Sequence, residues 1–195
     1  MENRKLQEVI KGRLSPKRYA HSCAVAATAE KLAKIYGVNG EKAYIAGLLH
    51  DYAREIEPEK LLTIATEAGL VTDQVEEENP LLLHGSVGAL LVKRDLDITE
   101  QDILNAIAHH TLGRPGMSLM EMVIYISDVI EPSRDFPCID EIRERAERKM
   151  ALNEITVLIL KQTISYNLNK GMIIHPQSIR AINYYQKIKD MESRG

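Results

Sequence analysis

The 195 residues include 25 Lys and Arg against 28 Asp and Glu, a net charge of −3 with the basic residues spread along the chain, which argues against a nucleic-acid backbone as the main partner. Two cysteines, Cys23 and Cys138, lie far apart and in no Cys-x-x-Cys arrangement, which excludes a disulfide scaffold and fits a reducing cytosol. No run of about eighteen apolar residues is present, so a soluble cytoplasmic protein with no membrane partner is expected, long enough for one domain with a sizeable core.

A short helix is expected over Lys5–Arg13. Ser15-Pro16 is a helix start, a capping hydroxyl followed by proline, and Gly37 is the matching stop. On the long helix between them His21 shares a stripe with Ala24, Val25, Thr28, Leu32 and Ile35; read alone, it fits a core histidine as well as a ligand. The next helix starts near Asn39 and puts Ala43, Ala46 and Gly47 on the side of His50. Its apolar run ends on His50-Asp51, a desolvated pair that needs partners or a metal. Pro58 opens a third helix ended by Gly69, and Asp73–Glu78 reads as a solvated acidic segment.

Asn79-Pro80 repeats the start signal and leads to His84, on a face with Val87, Gly88 and Leu91. Thr99 and Asp102 resemble a capping box for a helix ending in His109-His110. His110 follows Ile103, Ala106 and Ile107 and is expected in the core, whereas His109 follows Asp102 and Asn105 and is expected to face water. After the turn Gly113-Arg114-Pro115-Gly116, Ser118 and Glu121 cap an apolar helix in which Asp128 is stranded. Glu131-Pro132-Ser133-Arg134 breaks it. Helices are expected from Asp140 to about Met150, from Asn153 to Asn169 with Gly171 as the stop, and from Pro176 onward. No alternating run calls for a strand, so the expectation is an all-α helical bundle forming a single domain over 1–195.

Six residues thus stand on buried faces of five helices: His21, His50, Asp51, His84, His110 and Asp128. Any one of them has a bland reading as a satisfied core residue, helix cap or half of an ion pair. Together they would need six separate sets of partners from a core of Ala, Ile, Leu and Val, whereas a metal centre provides for all at once. Mixed imidazole and carboxylate ligation without thiolate suits iron, manganese, cobalt or zinc. Six protein ligands are too many for one catalytic ion and about right for two ions sharing a carboxylate, with Asp51 as the natural bridge.

His21, His50-Asp51 and Asp128 resemble the H…HD…D signature of the HD-domain superfamily of metal-dependent phosphohydrolases, and His84 with His110 resembles its dinuclear branch. The stretches His110–Ser118 and Tyr125–Arg134 and the late Ile174-His175-Pro176 are similar to the YqeK family of bacterial HD proteins, symmetrical diadenosine tetraphosphate hydrolases. Ser127 and His109 depart from that family's usual residues without removing a ligand. The resemblance implies an HD-domain bundle with its metal-binding core over about 16–134, and helices over 140–191 that complete a nucleotide pocket. It implies two divalent ions, iron by preference: His21, His50, Asp51 and Asp128 on one, and His84 and His110 on the other with Asp51 between.

The function implied by the resemblance is attack of a bridging hydroxide on phosphorus to release two ADP, with Asp51, His84 and His110 at the reacting centre. The sequence on its own supports only a phosphate anhydride or ester as substrate. Arg134 is the expected phosphate clamp, and the loop Gly171, Met172, Ile173, Ile174, His175 and Pro176 is expected against the nucleotide, His175 outside the buried set. Lys17, Arg18, Arg54 and Arg114 are further candidates. The alternatives are an HD-type nucleotidase or phosphodiesterase acting on another nucleotide, and a helical module that binds a nucleotide without turning it over. A homodimer is left open.

Overall fold

The computed structural model describes residues 3–136 and 138–192. Among these residues there are eleven α-helices and no strand: α1 (Asn3–Arg13), α2 (Pro16–Tyr36), α3 (Gly40–Leu49), α4 (Pro58–Glu67), α5 (Gln74–Glu78), α6 (His84–Leu96), α7 (Gln101–His109), α8 (Leu119–Ile130), α9 (Ile139–Glu147), α10 (Leu152–Asn169) and α11 (Pro176–Glu192). None of them is long and apolar enough to cross a membrane.

Local signals place the main ends. Ser15 Oγ accepts from the Arg18 amide at the start of α2, and Gly37 closes it with φ 72°. Asn39 caps α3 through the Lys42 amide, and Ser118 with Glu121 forms the capping box of α8. The Thr99–Asp102 box does not form. Glu100 is the residue before α7, and Asp102 turns to Lys42, 2.8 Å away, because an ion pair across to α3 competes with the local cap. Pro80–Leu83 makes a 3-10 turn, and α6 starts only at His84.

The acidic segment Asp73–Glu78 is solvated only in part, with Glu77 and Glu78 exposed and Glu76 turned inward. Asp73 and Glu76 build a capping box, and Glu76 is buried, accepting from the Thr72 and Asp73 amides at 2.6 and 3.2 Å. Helix α2 carries the central core stripe, Val25, Ala26, Ala29, Leu32 and Ala33, and lies against α3 so closely that a Cβ on Gly47 would meet Ala26 Cα at 2.9 Å. A Cβ on Gly85 would meet the Ala108 carbonyl oxygen at 2.8 Å, where α6 crosses α7. The first contact sets the end of α3 against the middle of α2, and the second sets the start of α6 against the end of α7.

Candidate metal centre

Three of the four converging imidazoles sit at the edges of helices: His50 and His110 at C-terminal ends, where backbone carbonyls lack partners within the helix, and His84 at an N-terminal start preceded by a 3-10 turn. His50 follows α3 and its Nδ1 lies 2.7 Å from the Gly47 oxygen; His110 follows α7 with Nδ1 2.7 Å from the Ile107 oxygen; His84 opens α6 with Nδ1 2.6 Å from the Leu81 oxygen. A carbonyl can only accept, so Nδ1 carries the proton and each Nε2 presents a lone pair. His21, inside α2, is held differently: its Nδ1 lies 3.0 Å from Oε1 of Glu131, a fully buried carboxylate just past α8. Sequence reading assigned Glu131 only to a helix break. Its spacing of three from Asp128, which aims both at one side of a helix, was the available signal.

Asp51 lies in the turn after α3, 2 % exposed, and divides its oxygens. Oδ2 is 3.5 Å from His50 Nε2 and 3.9 Å from His21 Nε2, whereas Oδ1 is 3.3 Å from His84 Nε2 and 3.9 Å from His110 Nε2. Asp128 from α8 approaches His21 Nε2 at 3.0 Å and His50 Nε2 at 3.8 Å. All six residues singled out from the sequence therefore meet at one place, in overlapping groups each able to hold an ion: His21, His50 and Asp51; His50, His110 and Asp128; Asp51, His84 and His110.

The donor set fits divalent cations for a reason of valence. His84 Nε2 and His110 Nε2 are 3.0 Å apart, yet the carbonyls behind them hold both protons on Nδ1, so two lone pairs face each other. Moving one proton to Nε2 would relieve that contact and set a lone pair against a carbonyl instead. His50 Nε2 is buried with no hydrogen-bond partner. A buried acceptor left so is costly, about 1–3 kcal/mol, and protonation is no escape for His110: burial, with His50 and His84 alongside, pushes its pKa down to about 3. A cation satisfies every one of these lone pairs.

Arginines surround the carboxylates. Arg18 Nη1 is 3.0 Å from Asp51 Oδ2 and Arg134 Nη2 is 2.7 Å from Asp128 Oδ1, while Arg54 lies close enough for its charge to act on both acids. Burial opposes ionisation of Asp51, but His50, His84 and His110 outweigh it and hold the carboxyl well below the usual range. Asp128 is depressed likewise, with burial overcome by His21, His50, His110 and Arg134. The His21 pKa is raised, since the carboxylates on its two nitrogens outweigh burial.

The other candidates scatter. A cleft of about 520 Å³ opens beside Arg134, walled by Val129, Phe136, Ile159, Thr163 and Tyr166. The Gly171–Pro176 loop does not line it; Gly171, Met172 and Ile173 point outward, Ile174 and Pro176 are half-buried, and His175 is buried with Nε2 3.4 Å from Glu76 Oε1. The expectation that His175 lies outside the buried set is thus corrected: α5 supplies a carboxylate that draws it inward. Arg114 is taken up by a fork on Glu121, at 2.7 and 2.8 Å. Lys17 is exposed. His109 is half-buried rather than facing water, its Nδ1 shut off from solvent, because α11 folds back over the turn after α7, Gln177 and Ser178 bonding the Gly113 and Leu112 oxygens.

The fold and this cluster define an all-α protein with a buried histidine–carboxylate centre able to hold divalent metal. Residues 18–133 match the model of the HD domain. The chain is 38% identical over 175 residues, 90% of its length and 92% of the relative, to the symmetrical bis(5'-nucleosyl)-tetraphosphatase of Bacillus subtilis (strain 168). It is 34% identical over 194 residues, 97% of its length and 100% of the relative, to the enzyme of that name from Staphylococcus aureus (strain NCTC 8325 / PS 47). A crystal structure from Clostridium acetobutylicum, described as a predicted HD superfamily hydrolase involved in NAD metabolism, matches it with a TM-score of 0.91 and 41% identity, over 96% of this chain and 98% of that one. The chain belongs to the HD-domain family, within its group of symmetrical bis(5'-nucleosyl)-tetraphosphatases.

Proposed function

We propose that the protein is a metal-dependent phosphohydrolase that cuts diadenosine tetraphosphate at its central anhydride, consuming one water and releasing two ADP. The observation that carries this reading is Asp51, with one oxygen toward His21 and His50 and the other toward His84 and His110, which suits a carboxylate shared by two ions. The names of the relatives supply a bis(5'-nucleosyl) tetraphosphate and its symmetrical cut, and the family resemblance supplies adenine as the base. In this reading His21, His50, Asp51 and Asp128 hold one ion, and His84 and His110 hold the other with Asp51. Iron is the metal that the family resemblance implies, and the nitrogen and oxygen donors are compatible with it.

When bound, two such cations supply a water acidic enough to attack phosphorus at neutral pH and offset charge on the phosphoryl oxygens. The chain's own residues do the rest. The carbonyls behind His50, His84 and His110 keep their Nε2 lone pairs available, and Glu131 does so for His21. Asp51, Asp128 and Glu131 are balanced by Arg18, Arg54 and Arg134, so the positive charge of the ions is left over for a polyanion. Arg134 lines the cleft beside Asp128, which supports a reading in which its guanidinium meets the phosphate chain while the cleft takes one nucleoside on its apolar and aromatic walls.

Incubating metal-loaded protein with diadenosine tetraphosphate and separating the products by chromatography tests this. ADP alone, two per substrate, is expected. AMP with ATP would overturn the symmetrical cut, and intact substrate in the presence of bound metal would leave only a binding module.

A further inference from the structure

One polar group of the centre has no task in that phosphohydrolase chemistry. Thr111 comes directly after His110 in the turn that ends α7 and is half-buried; its Oγ1 lies 3.3 Å from His84 Nε2 and 3.2 Å from His110 Nε2. Among the described residues that hydroxyl has no other hydrogen-bond partner. It has one proton to offer, and both nitrogens present lone pairs, because each histidine gives its Nδ1 proton to a backbone carbonyl. A cation held by His84 and His110 takes both lone pairs. The hydroxyl then keeps its proton and loses its acceptors, while still aimed at the point where the two imidazoles converge. Half-buried, that donor is left to water, and the strongest acceptor that this chemistry brings there to displace it is an anionic phosphoryl oxygen.

We propose that Thr111 is a phosphate-binding residue of the centre, its hydroxyl donating to a phosphoryl oxygen at the His84 and His110 end, while Arg134 serves the His21 and Asp128 end. The inference rests on the phosphohydrolase reading but asks for less: any phosphate seated over that end would receive the same bond. Threonine suits the task because its methyl group limits the rotamers of the hydroxyl.

The test uses the full chain loaded with metal, comparing wild type with Thr111→Val, which keeps the shape and removes the hydroxyl, and Thr111→Ser, which keeps the hydroxyl. Metal per chain is read by elemental analysis, and the affinity for inorganic phosphate by calorimetry. Thr111→Val should retain wild-type metal content and bind phosphate roughly 10- to 100-fold more weakly, the range for a lost hydrogen bond to a charged group, with Thr111→Ser close to wild type. Unchanged phosphate affinity in Thr111→Val overturns the proposal. So does parallel loss of metal, which would make Thr111 a support for the imidazoles, or equal damage in Thr111→Ser, which would make the methyl group the part that matters. Wild-type protein that does not bind phosphate also overturns it. Wild type that binds phosphate without cleaving diadenosine tetraphosphate would sink the substrate assignment alone, and the Thr111 comparison would still be decided.

Discussion

Glu131 shows how a single buried carboxylate governs the residue beside it. Fully enclosed, it holds the Nδ1 side of His21 at 3.0 Å and also accepts from the Ser133 amide and hydroxyl. Glu131→Gln is close to isosteric but removes the charge that keeps the His21 ring oriented and basic. Metal affinity, measured by competition with a chelator, should fall about 10- to 100-fold with the fold retained; unchanged affinity would mean that His21 is held by Asp128 alone. His110 makes a prediction about acid. Its folded pKa is about 3 against 6.5 for a free histidine, so below pH 6.5 the unfolded chain takes up a proton that the folded one refuses. Stability is therefore complete above that value and is lost as pH falls toward 3, by up to about 1.4 kcal/mol per pH unit for one such group. His109, also lowered by burial, adds to this, whereas His21, raised between its carboxylates, opposes it. Urea unfolding of metal-free protein should give lower stability at pH 5 than at pH 7, and a flat or reversed profile would sink the assignment.

Helix ends are the elements that make the centre. His50 and His110 directly follow α3 and α7, so carbonyls left unpaired at those C-terminal ends fix their imidazoles, whereas His84 opens α6 and is fixed by the Leu81 carbonyl of the preceding 3-10 turn. His50 and Asp51 reach His21 only if α3 approaches α2 closely, which Gly47 allows. Gly47→Ala would press a methyl group into the backbone of Ala26, at 2.9 Å, where no flexible side chain can give way. Unfolding free energy should drop by roughly 1–3 kcal/mol, as for overpacked cores generally. The control is Gly12→Ala in the last turn of α1, where nothing lies within 4 Å of the new carbon, and there the gain in helix propensity should leave the protein as stable or more so. Equal effects at the two glycines would show that α2 and α3 do not touch as described.

Across the whole molecule, the centre would act as a cross-link once metal is bound. The candidate donors come from α2, the ends of α3 and α7, the start of α6, and α8, segments joined otherwise by apolar packing and the Lys42–Asp102 ion pair. A ligand that binds only the folded state raises its stability by mass action, about 2.7 kcal/mol at a hundred times its dissociation constant. Stripping the metal should therefore lower the unfolding temperature in a calorimetric scan, with restoration on adding iron, manganese or zinc. An unfolding temperature indifferent to metal would mean that the six side chains are not acting as ligands.

His21, His50, His84 and His110 could be picked out by helical spacing, because a period of 3.6 records which face of its own helix a residue occupies, and Asp128 as the one charge stranded in an apolar run. Asp51 was marked by its place beside His50 at the end of an apolar run. Ser15-Pro16 and Ser118 with Glu121 were legible for the same kind of reason, since a cap is a contact with residues a few positions away. The resemblance of the motifs then named the family. Periodicity is silent about what covers a face. Glu76 reads as solvated until His175 arrives, Arg114 as a free cation until Glu121 takes it, and His109 as exposed until α11 folds over the turn beside it. Thr111 looks like any turn residue until α6 brings His84 across to it. By itself the sequence determined that the six candidate ligands turn inward and the chemical family they form; the tertiary structure alone decided how Asp51 divides its oxygens and which further polar groups are buried behind them, because those depend on distances between segments that meet only once the chain has folded.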